Sequence, residues 1–311
     1  DWNGYFYNKR FRNNLRANSD KLRINLAGSL QDFKIIDQNN NQVSGIELQG
    51  AGYTKDPQES INYISKHDNE TLFDLNMFKL PLGKSGTAVT SMNERVRVQN
   101  LGLSLVGLSQ GIPFFQMGSD MLRSKSLDHN SYDSGDWFNR IDFTYSGNNF
   151  GVGLPPAWGN QERWGIMSPL LRNTKFDPEK EHILDNVHHF QEILQIRRSS
   201  PLFRLRSKED IEQRVTFHNM GHNQKDAFIV MSLDDTVGEN LDPNYNKVVA
   251  LFNADKFGQT IKIPEFAGTA MVLHPVQANS HDDVVKSANF DVNTGAFEVP
   301  ARTTAVFVAP E

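Results

Sequence analysis

The sequence predicts an α/β region followed by an all-β region, and two patterns support this division. In the first part, a β-forming run at 61–65, a helical stretch at 93–110 and an apolar run at 112–117 follow one another at the spacing of a βαβ unit with a parallel sheet. In the second part, short β-forming runs recur and no helical pattern separates them, which is typical of an antiparallel β-sandwich. We therefore expect one domain over 1–204 and a second over 205–311.

Local patterns predict further elements in the first part. The mixture of aromatic and polar residues over 5–15 predicts a helix, and the β-formers at 22–26 predict a short strand. Helices are also expected over 71–79 and over 179–198, where apolar residues form one stripe. Residues 119–178 are rich in Asp, Asn, Gly and Pro and predict long loops, which usually carry function.

Several runs in the second part have the length and composition of strands. Turn residues separate them at fairly regular intervals, so we expect an antiparallel arrangement. The runs are 215–217, 227–233, 248–252, 260–263, 271–276 and 303–308.

The composition is that of an ordinary globular protein and argues against several functional classes. The 32 Lys and Arg residues are outnumbered by 37 Asp and Glu, and the resulting net charge of −5 argues against a nucleic-acid or anionic-membrane partner. Because the chain has no Cys, it has no disulfide, thiol nucleophile or Cys-ligated zinc. Its apolar stretches are far shorter than the roughly 20 residues of a membrane-spanning helix.

The first candidate site is the run His67-Asp68-Asn69-Glu70, which follows a predicted strand. Ionisable groups placed just after an apolar strand are typical of active sites in parallel α/β proteins. However, Asp and Asn are also good N-caps, and His67 and Asp68 could simply cap the helix that begins near Thr71. On these residues alone, both interpretations stay open.

The second candidate site is the segment 131–140, which contains Asp136, Trp137 and Arg140. Asp136 and Arg140 are four residues apart, so in a helical turn they would share a face and could pair. An aromatic ring beside a carboxylate and a guanidinium suits sugar recognition. The simpler interpretation, without other context, is an exposed ion pair worth about 0–1 kcal/mol.

Other chemistries have weaker signals. His182, Asp185 and His189 share one helix face, but a solvated helix flank explains them better than a metal site, since no second ligand set accompanies them. The sequence contains neither a phosphate-binding Gly-rich motif nor a Gly-x-Ser-x-Gly nucleophile motif.

A set of motifs distributed in order along the chain resembles one family. The motifs are NYISKHDNETLFD (62–74), LSQGIPFF (108–115), LRSKS (122–126), SGDWFNRID (134–142), NFGVGLPP (149–156), SSPLFRL (199–205) and RTTAVFV (302–308). Together they resemble the α-amylase superfamily, glycoside hydrolase family 13, and within it the type I pullulanases and plant-type limit dextrinases. The resemblance implies the C-terminal portion of a (β/α)8 TIM barrel followed by an antiparallel β-sandwich.

The resemblance also implies an activity, the retaining hydrolysis of α-1,6-glucosidic branch points in pullulan, amylopectin and limit dextrins. By analogy, Asp68 is the third catalytic carboxylate, a buried group that stabilises an oxocarbenium-like transition state, while His67 binds the sugar at the cleavage site. Asn69 would line the branch-point region. Asp136 and Arg140 would hold the next glucose, with Trp137 beside it.

The sequence departs from the family in one respect that matters for catalysis. The segments that carry the nucleophile and the acid/base carboxylate are absent, and a complete barrel needs about 250 residues. The sequence also begins at Asp1 without a Met. We therefore expect the C-terminal part of a debranching enzyme, inactive alone, whose partners are a branched α-glucan and the missing N-terminal part.

Two other functions and several further properties follow from this comparison. The alternatives are a non-catalytic α-glucan-binding module and an α-1,4-acting amylase-type hydrolase. The family requires no metal or organic cofactor for its chemistry; structural calcium occurs in relatives, but we identify no calcium site in this sequence. The compartment would be a plastid for a plant or algal protein, and the cytoplasm or the outside for a bacterial one.

Overall fold

The computed structural model describes residues 9–82 and 89–311. By their contacts these residues divide into two units, one made of 63–103 and 115–191, and the other of the described residues up to 62 together with 104–114 and 192–311. The domain division between 204 and 205 stays a prediction. None of the described helices is both long and apolar enough to cross a membrane.

Helices occur along much of the described chain, and several are a single turn. In chain order they are α1 (Lys9–Leu26), α2 (Leu72–Lys79), α3 (Met92–Gly107), α4 (Asp136–Asn139), α5 (Ala157–Asn160), α6 (Trp164–Leu171), α7 (Lys180–Ser199), α8 (Lys208–Arg214), α9 (Pro275–Ala278) and α10 (Asp283–Lys286). The helices expected at 71–79, 93–110 and 179–198 are therefore confirmed as α2, α3 and α7.

The strand predicted at 22–26 is wrong, because these residues form the last turns of α1. Burial there follows the helical spacing: Asp20, Arg23, Ile24 and Ala27 are buried, whereas Leu22 is exposed. The Arg23 guanidinium pairs with the Asp20 carboxylate one turn earlier at 2.6 Å. The predicted helix at 5–15 lies partly outside the described residues, and its described portion is the start of α1.

The unit made of 63–103 and 115–191 is helical, with long connections between its helices. Its core is built from α2, α3, α6, α7 and the loops around them, and the rings of Phe73 and Phe150 meet edge to face with centroids 5.8 Å apart. The buried core residues are Phe73, Met77, Met92, Val96, Met121, Leu122, Leu127, Phe150, Met167, Leu170, Phe176, Ile183 and Val187. Loop residues such as Leu122, Leu127 and Phe150 therefore contribute to the core together with the helices.

The other unit contains the described strands. They are β1 (Lys34–Ile36), β2 (Gln42–Ser44), β3 (Ile61–Asn62), β4 (Ile112–Pro113), β5 (Val215–His218), β6 (Phe228–Asp234), β7 (Tyr245–Asn253), β8 (Gln259–Lys262), β9 (Val272–Leu273), β10 (Asn289–Asp291), β11 (Ala296–Val299) and β12 (Thr303–Pro310). Two antiparallel sheets follow residue 214, a five-stranded sheet in the order β5-β6-β7-β12-β9 and a three-stranded sheet in the order β10-β11-β8.

These two sheets share one core. Phe297 on β11 and Phe307 on β12 pack with ring centroids 5.3 Å apart, and both side chains are almost completely buried. The antiparallel arrangement expected from the strand runs is therefore confirmed, while the β-sandwich stays a prediction. The hairpin of β10 and β11 was not predicted, although Gly295 at φ +68° between them marks its turn.

A short parallel pair is formed by β3 and β4, with Ile61 opposite Ile112 and Asn62 opposite Pro113. The parallel pairing predicted for 61–65 and 112–117 is therefore confirmed, over fewer residues. The chain reverses just before β4 at Gly111, which has φ +88°. A Cβ there would lie 2.9 Å from the Pro57 carbonyl oxygen, so this turn requires glycine.

Candidate active site

The turn that carries Asp68 lies in the unit made of 63–103 and 115–191, and it presents its side chains to solvent. The side chain of His67 is 85% exposed and that of Asp68 54% exposed. Asp68 accepts a hydrogen bond from the Lys66 ammonium, and this bond is the main reason why the pKa of Asp68 is lowered from its usual value. Asp68 is therefore ionised near neutral pH. The expectation that this carboxylate is buried is wrong for this chain.

The helix that follows the turn is capped by Thr71 rather than by His67 or Asp68. The Thr71 hydroxyl accepts a hydrogen bond from the backbone N–H of Asp74 at 3.1 Å, which is the geometry of an N-cap. The capping interpretation of His67 and Asp68 is thus excluded. Asn69 has φ +61°, a left-handed conformation that Asn tolerates better than most residues, and this makes the turn sharp.

A buried lysine, Lys125, lies against the same turn. Its Nζ donates to the carbonyl oxygen of Asn69 at 2.6 Å and to that of His67 at 3.5 Å, on either side of Asp68. The same Nζ donates to the Ser131 hydroxyl at 2.9 Å, at the beginning of the second candidate segment. Lys125 thus contacts both predicted sites.

The electrostatics around Lys125 are those of a desolvated ion with nearby counter-charges. The side chain has no exposed surface, and burial lowers the pKa of its ammonium. Nearby carboxylates act in the opposite direction and raise this pKa through their negative charge; they belong to Asp128, Asp74 and Glu70. Asp74 is itself fully buried and accepts from the Ser124 hydroxyl at 2.5 Å and the Lys125 backbone N–H at 2.7 Å, yet burial raises the pKa of Asp74 to about 6.

The second candidate segment presents an aromatic ring and a guanidinium side by side. Trp137 is 56% exposed, and its indole N–H donates to the Val152 carbonyl oxygen at 3.0 Å. The Arg140 guanidinium carbon lies 5.1 Å from the centroid of the Trp137 ring, and its Nε donates to Asn149 Oδ1 at 2.9 Å. Asp136 is exposed beside them.

The predicted pairing of Asp136 with Arg140 needs correction. Helix α4 ends at Asn139, and Arg140 has an extended backbone with ψ 155°, so its side chain does not share a helix face with Asp136. The guanidinium is directed to Asn149 and Trp137 instead.

Two residues that the sequence patterns did not single out fix the neighbourhood of the first turn. The Arg163 guanidinium donates to the Glu70 carboxylate at 2.6 Å, and His129 Nδ1 lies 3.2 Å from the same oxygen. Glu70 was part of the predicted run, but its partners come from residues 59 and 93 positions later in the chain. No local signal could have identified them.

The possible metal-binding face on α7 is occupied by other interactions. His182 Nδ1 accepts from the backbone N–H of Glu179 at 3.0 Å, and His189 Nε2 lies 3.1 Å from the Asn100 carbonyl oxygen. In the ranges 9–82 and 89–311, no group of three or more His, Asp or Glu side chains is arranged to hold a metal ion.

Comparison with known proteins identifies the family. Residues 145–310 match the family model described as alpha-1,6-glucosidases, pullulanase-type, C-terminal. The chain is 42% identical over 305 residues to "Pullulanase 1, chloroplastic" of Arabidopsis thaliana, which covers 94% of this chain and 31% of that protein. It is 34% identical to "Pullulanase" of Klebsiella pneumoniae, over 96% of this chain and 27% of that protein.

Solved structures lead to the same family. The crystal structure of PulA from Klebsiella oxytoca matches with a TM-score of 0.86 at 34% identity, over 96% of this chain and 28% of that one. A maltotriose complex of PulA from Klebsiella pneumoniae matches with a TM-score of 0.86 at 34% identity, over 95% of this chain and 32% of that one. The chain spans less than a third of the length of these relatives. The resemblance seen in the motifs is thereby confirmed, and the chain belongs to the pullulanase-type α-1,6-glucosidases, whose C-terminal region it matches.

Proposed function

We propose that this chain supplies part of the active site of an enzyme that hydrolyses α-1,6-glucosidic branch points in pullulan, amylopectin and limit dextrins with retention. The observation that carries the proposal is the link through Lys125, which joins the turn of Asp68 to the segment of Asp136, Trp137 and Arg140. The relatives named pullulanase and the maltotriose complex of PulA support the substrate class.

Asp68 is the proposed transition-state carboxylate. An ionised carboxylate near the anomeric carbon stabilises the positive charge that develops there, and the pKa of Asp68, lowered by the Lys66 hydrogen bond, keeps it ionised. His67 would donate a hydrogen bond to the sugar at the cleavage site, and its side chain, which is 85% exposed, is accessible to a ligand. Asn69 would line the branch point.

Asp136, Trp137 and Arg140 are the proposed binding residues for the next glucose. The Trp137 ring offers an apolar face for the C–H groups of a sugar, while Asp136 and the remaining Arg140 N–H groups can bind hydroxyls. The anchors of the ring at Val152 and of the guanidinium at Asn149 mean that little side-chain entropy is lost on binding.

The nucleophile and the acid/base are proposed to come from a region that precedes this chain in the complete enzyme. A retaining glycosidase needs these two carboxyl groups about 5–5.5 Å apart, and the family segments that carry them are absent from this sequence. Parallel sheets are normally covered on both faces, whereas Ile61 and Ile112 in the β3–β4 pair are 53% and 46% exposed. We propose that this pair is the end of a (β/α)8 barrel within 1–204, followed by a sandwich domain over 205–311.

A test compares the chain alone with the complete enzyme that contains it. Reducing ends released from pullulan are measured for both at equal molar concentration. The proposal expects turnover by the complete enzyme and none by the chain alone. Clear turnover by the chain alone would contradict the assignment of the missing carboxylates to another region.

A non-catalytic glucan-binding module is the second candidate, favoured by the exposed Trp137 and its fixed neighbours. Such a module has no use for Asp68. It would therefore retain all of its glucan binding, and the complete enzyme all of its turnover, when Asp68 is replaced.

A further inference from the structure

We propose that Lys125 is a positioning residue, whose buried ammonium fixes the main chain on both sides of Asp68 and joins that turn to the segment 131–140. This inference rests on the role proposed for Asp68. Lys125 makes its contacts with protein carbonyl and hydroxyl oxygens, so it acts through Asp68 and does not touch the reacting atoms itself.

The contacts of the ammonium account for its three donors. One N–H points to the carbonyl of Asn69 and one to the hydroxyl of Ser131, while the carbonyl of His67 lies at the limit of hydrogen-bond distance. Because these carbonyls belong to His67 and Asn69, the residues on either side of Asp68, the conformation of the main chain around Asp68 depends on Lys125.

Burying this lysine has an energetic cost that argues for a specific role. Lysine is almost never fully buried unless it is paired, and here the side chain has no exposed surface. Its strongest contacts are with neutral oxygens of the turn and of Ser131, while the carboxylates of Asp128 and Asp74 supply counter-charge from nearby. A lysine that served only to neutralise those carboxylates would not need to reach the turn.

The backbone that presents Lys125 is bent in an unusual way. Leu122, Ser126 and Leu127 all have positive φ, at 56°, 55° and 66°, which disfavours residues with a Cβ. The surroundings hold this conformation: the Asn148 side chain donates to the Leu122 carbonyl at 2.7 Å, and the Ser126 hydroxyl donates to the Gly153 carbonyl at 2.7 Å. Such strain persists where the structure around it requires one placement, which here is that of Lys125.

The test measures the kinetics of variants of the complete enzyme on pullulan. Lys125→Met keeps roughly the volume of the side chain and removes its three N–H donors. We expect kcat to fall by about 100-fold while KM changes less, because misplacement of a catalytic group by about 1 Å has that effect. Met167→Ala removes a buried side chain from the hydrophobic core of the same unit, and kcat should stay within about threefold of the unmodified enzyme. Asp68→Asn, measured in parallel, tests the proposed function itself.

A second readout separates positioning from general stability. Hydrogen exchange of backbone amides should become faster in Lys125→Met over 66–70 and 131–135, whereas Met167→Ala should leave these segments protected at matched stability. Lys125→Arg, which keeps donors for the Asn69 carbonyl, should recover much of the lost kcat. If Lys125→Met does not fold, Lys125→Arg and Ser131→Ala carry the same test, with Ser131→Ala expected to speed exchange at 131–135.

The outcomes distinguish the two proposals. If Asp68→Asn loses turnover but Lys125→Met matches Met167→Ala in both kcat and amide exchange, only the role of Lys125 is overturned. Unchanged turnover in Asp68→Asn would overturn the proposed function, and in that case the exchange rates still decide whether Lys125 holds the turn.

Discussion

The guanidinium of Arg140 lies over the ring of Trp137, 5.1 Å from its centroid, and both side chains are anchored at a second point. Trp137 donates to the Val152 carbonyl, and Arg140 donates to the side chain of Asn149. An exposed aromatic ring and a charged group are therefore held together before any ligand arrives. Preorganisation of this kind reduces the entropy lost on binding.

Arg140→Lys should weaken glucan binding more than it slows turnover. Lysine has no planar guanidinium to stack on Trp137 and no Nε–H in the position that donates to Asn149. We therefore expect KM in the complete enzyme to rise about tenfold with a smaller change in kcat. Arg12→Lys is the matched control, because Arg12 is an exposed arginine that is also paired, in this case with Asp226, and it should leave both constants unchanged. Equal effects of the two variants would contradict the binding role.

Asn149→Ala should both destabilise the protein and raise KM. The side-chain amide of Asn149 donates to the carbonyls of Trp137 and Phe138, its oxygen accepts from Arg140, and its φ of +72° suits Asn better than Ala. We expect a loss of about 2 kcal/mol in the free energy of unfolding, measured with urea. Asn149→Asp keeps the acceptor and the left-handed tolerance and should lose less; a larger loss for Asp than for Ala would count against this account.

The buried carboxyl of Asp74 should make stability depend on pH in a specific direction. Burial raises the pKa of Asp74 from 3.8 to about 6 in the folded protein, so the folded state binds more protons than the unfolded state between these values. The stabilisation of the folded state by Asp74 is therefore complete below pH 3.8 and is lost as the pH rises through about 6. Relative to Asp74→Asn, the unmodified chain should lose about 3 kcal/mol over this interval and then stay constant. If the unfolding free energy of the unmodified chain relative to that of Asp74→Asn stayed constant or increased between pH 3.8 and 6, this prediction would be wrong.

His274 should produce the opposite dependence. Burial lowers the pKa of His274 to about 4, and its Nδ1 accepts from the backbone N–H of Val276 at the start of α9, which requires the neutral ring. Here the unfolded state binds more protons, so the stabilisation is full above pH 6.5 and is lost as the pH falls through about 4. Compared with His274→Gln, the unmodified chain should lose about 3 kcal/mol between pH 6.5 and pH 4 in urea unfolding. Parallel curves for the two proteins would show that His274 does not titrate in this way.

Sequence patterns predicted the elements whose signals are local. The apolar stripe of α7, the Thr71 region before α2 and the regular β-runs after residue 214 each follow from a few neighbouring residues. The strand predicted at 22–26 was wrong because Leu22, Ile24 and Leu26 alternate by coincidence within a helix whose buried face includes the Asp20–Arg23 pair.

The candidate site was only partly predictable, because sequence patterns report local signals and not contacts between distant residues. His67, Asp68, Asn69, Asp136, Trp137 and Arg140 were identified by residue type and motif. Lys125 lies in the LRSKS motif, but its contact with Asn69, 56 positions away, depends on the folded chain. The redirection of Arg140 from Asp136 to Asn149 likewise follows from the end of α4 at Asn139, which spacing alone does not specify.

The most direct test of the central claim is the turnover number of Asp68→Asn in the complete enzyme acting on pullulan. Asp283→Asn is the matched control, since Asp283 is also an exposed carboxylate paired with a neighbouring lysine. The account predicts that Asp68→Asn lowers kcat by about 100-fold to 1,000-fold while maltotriose binding is retained, and that Asp283→Asn changes neither. A kcat for Asp68→Asn equal to that of Asp283→Asn would contradict the claim that this turn stabilises the transition state.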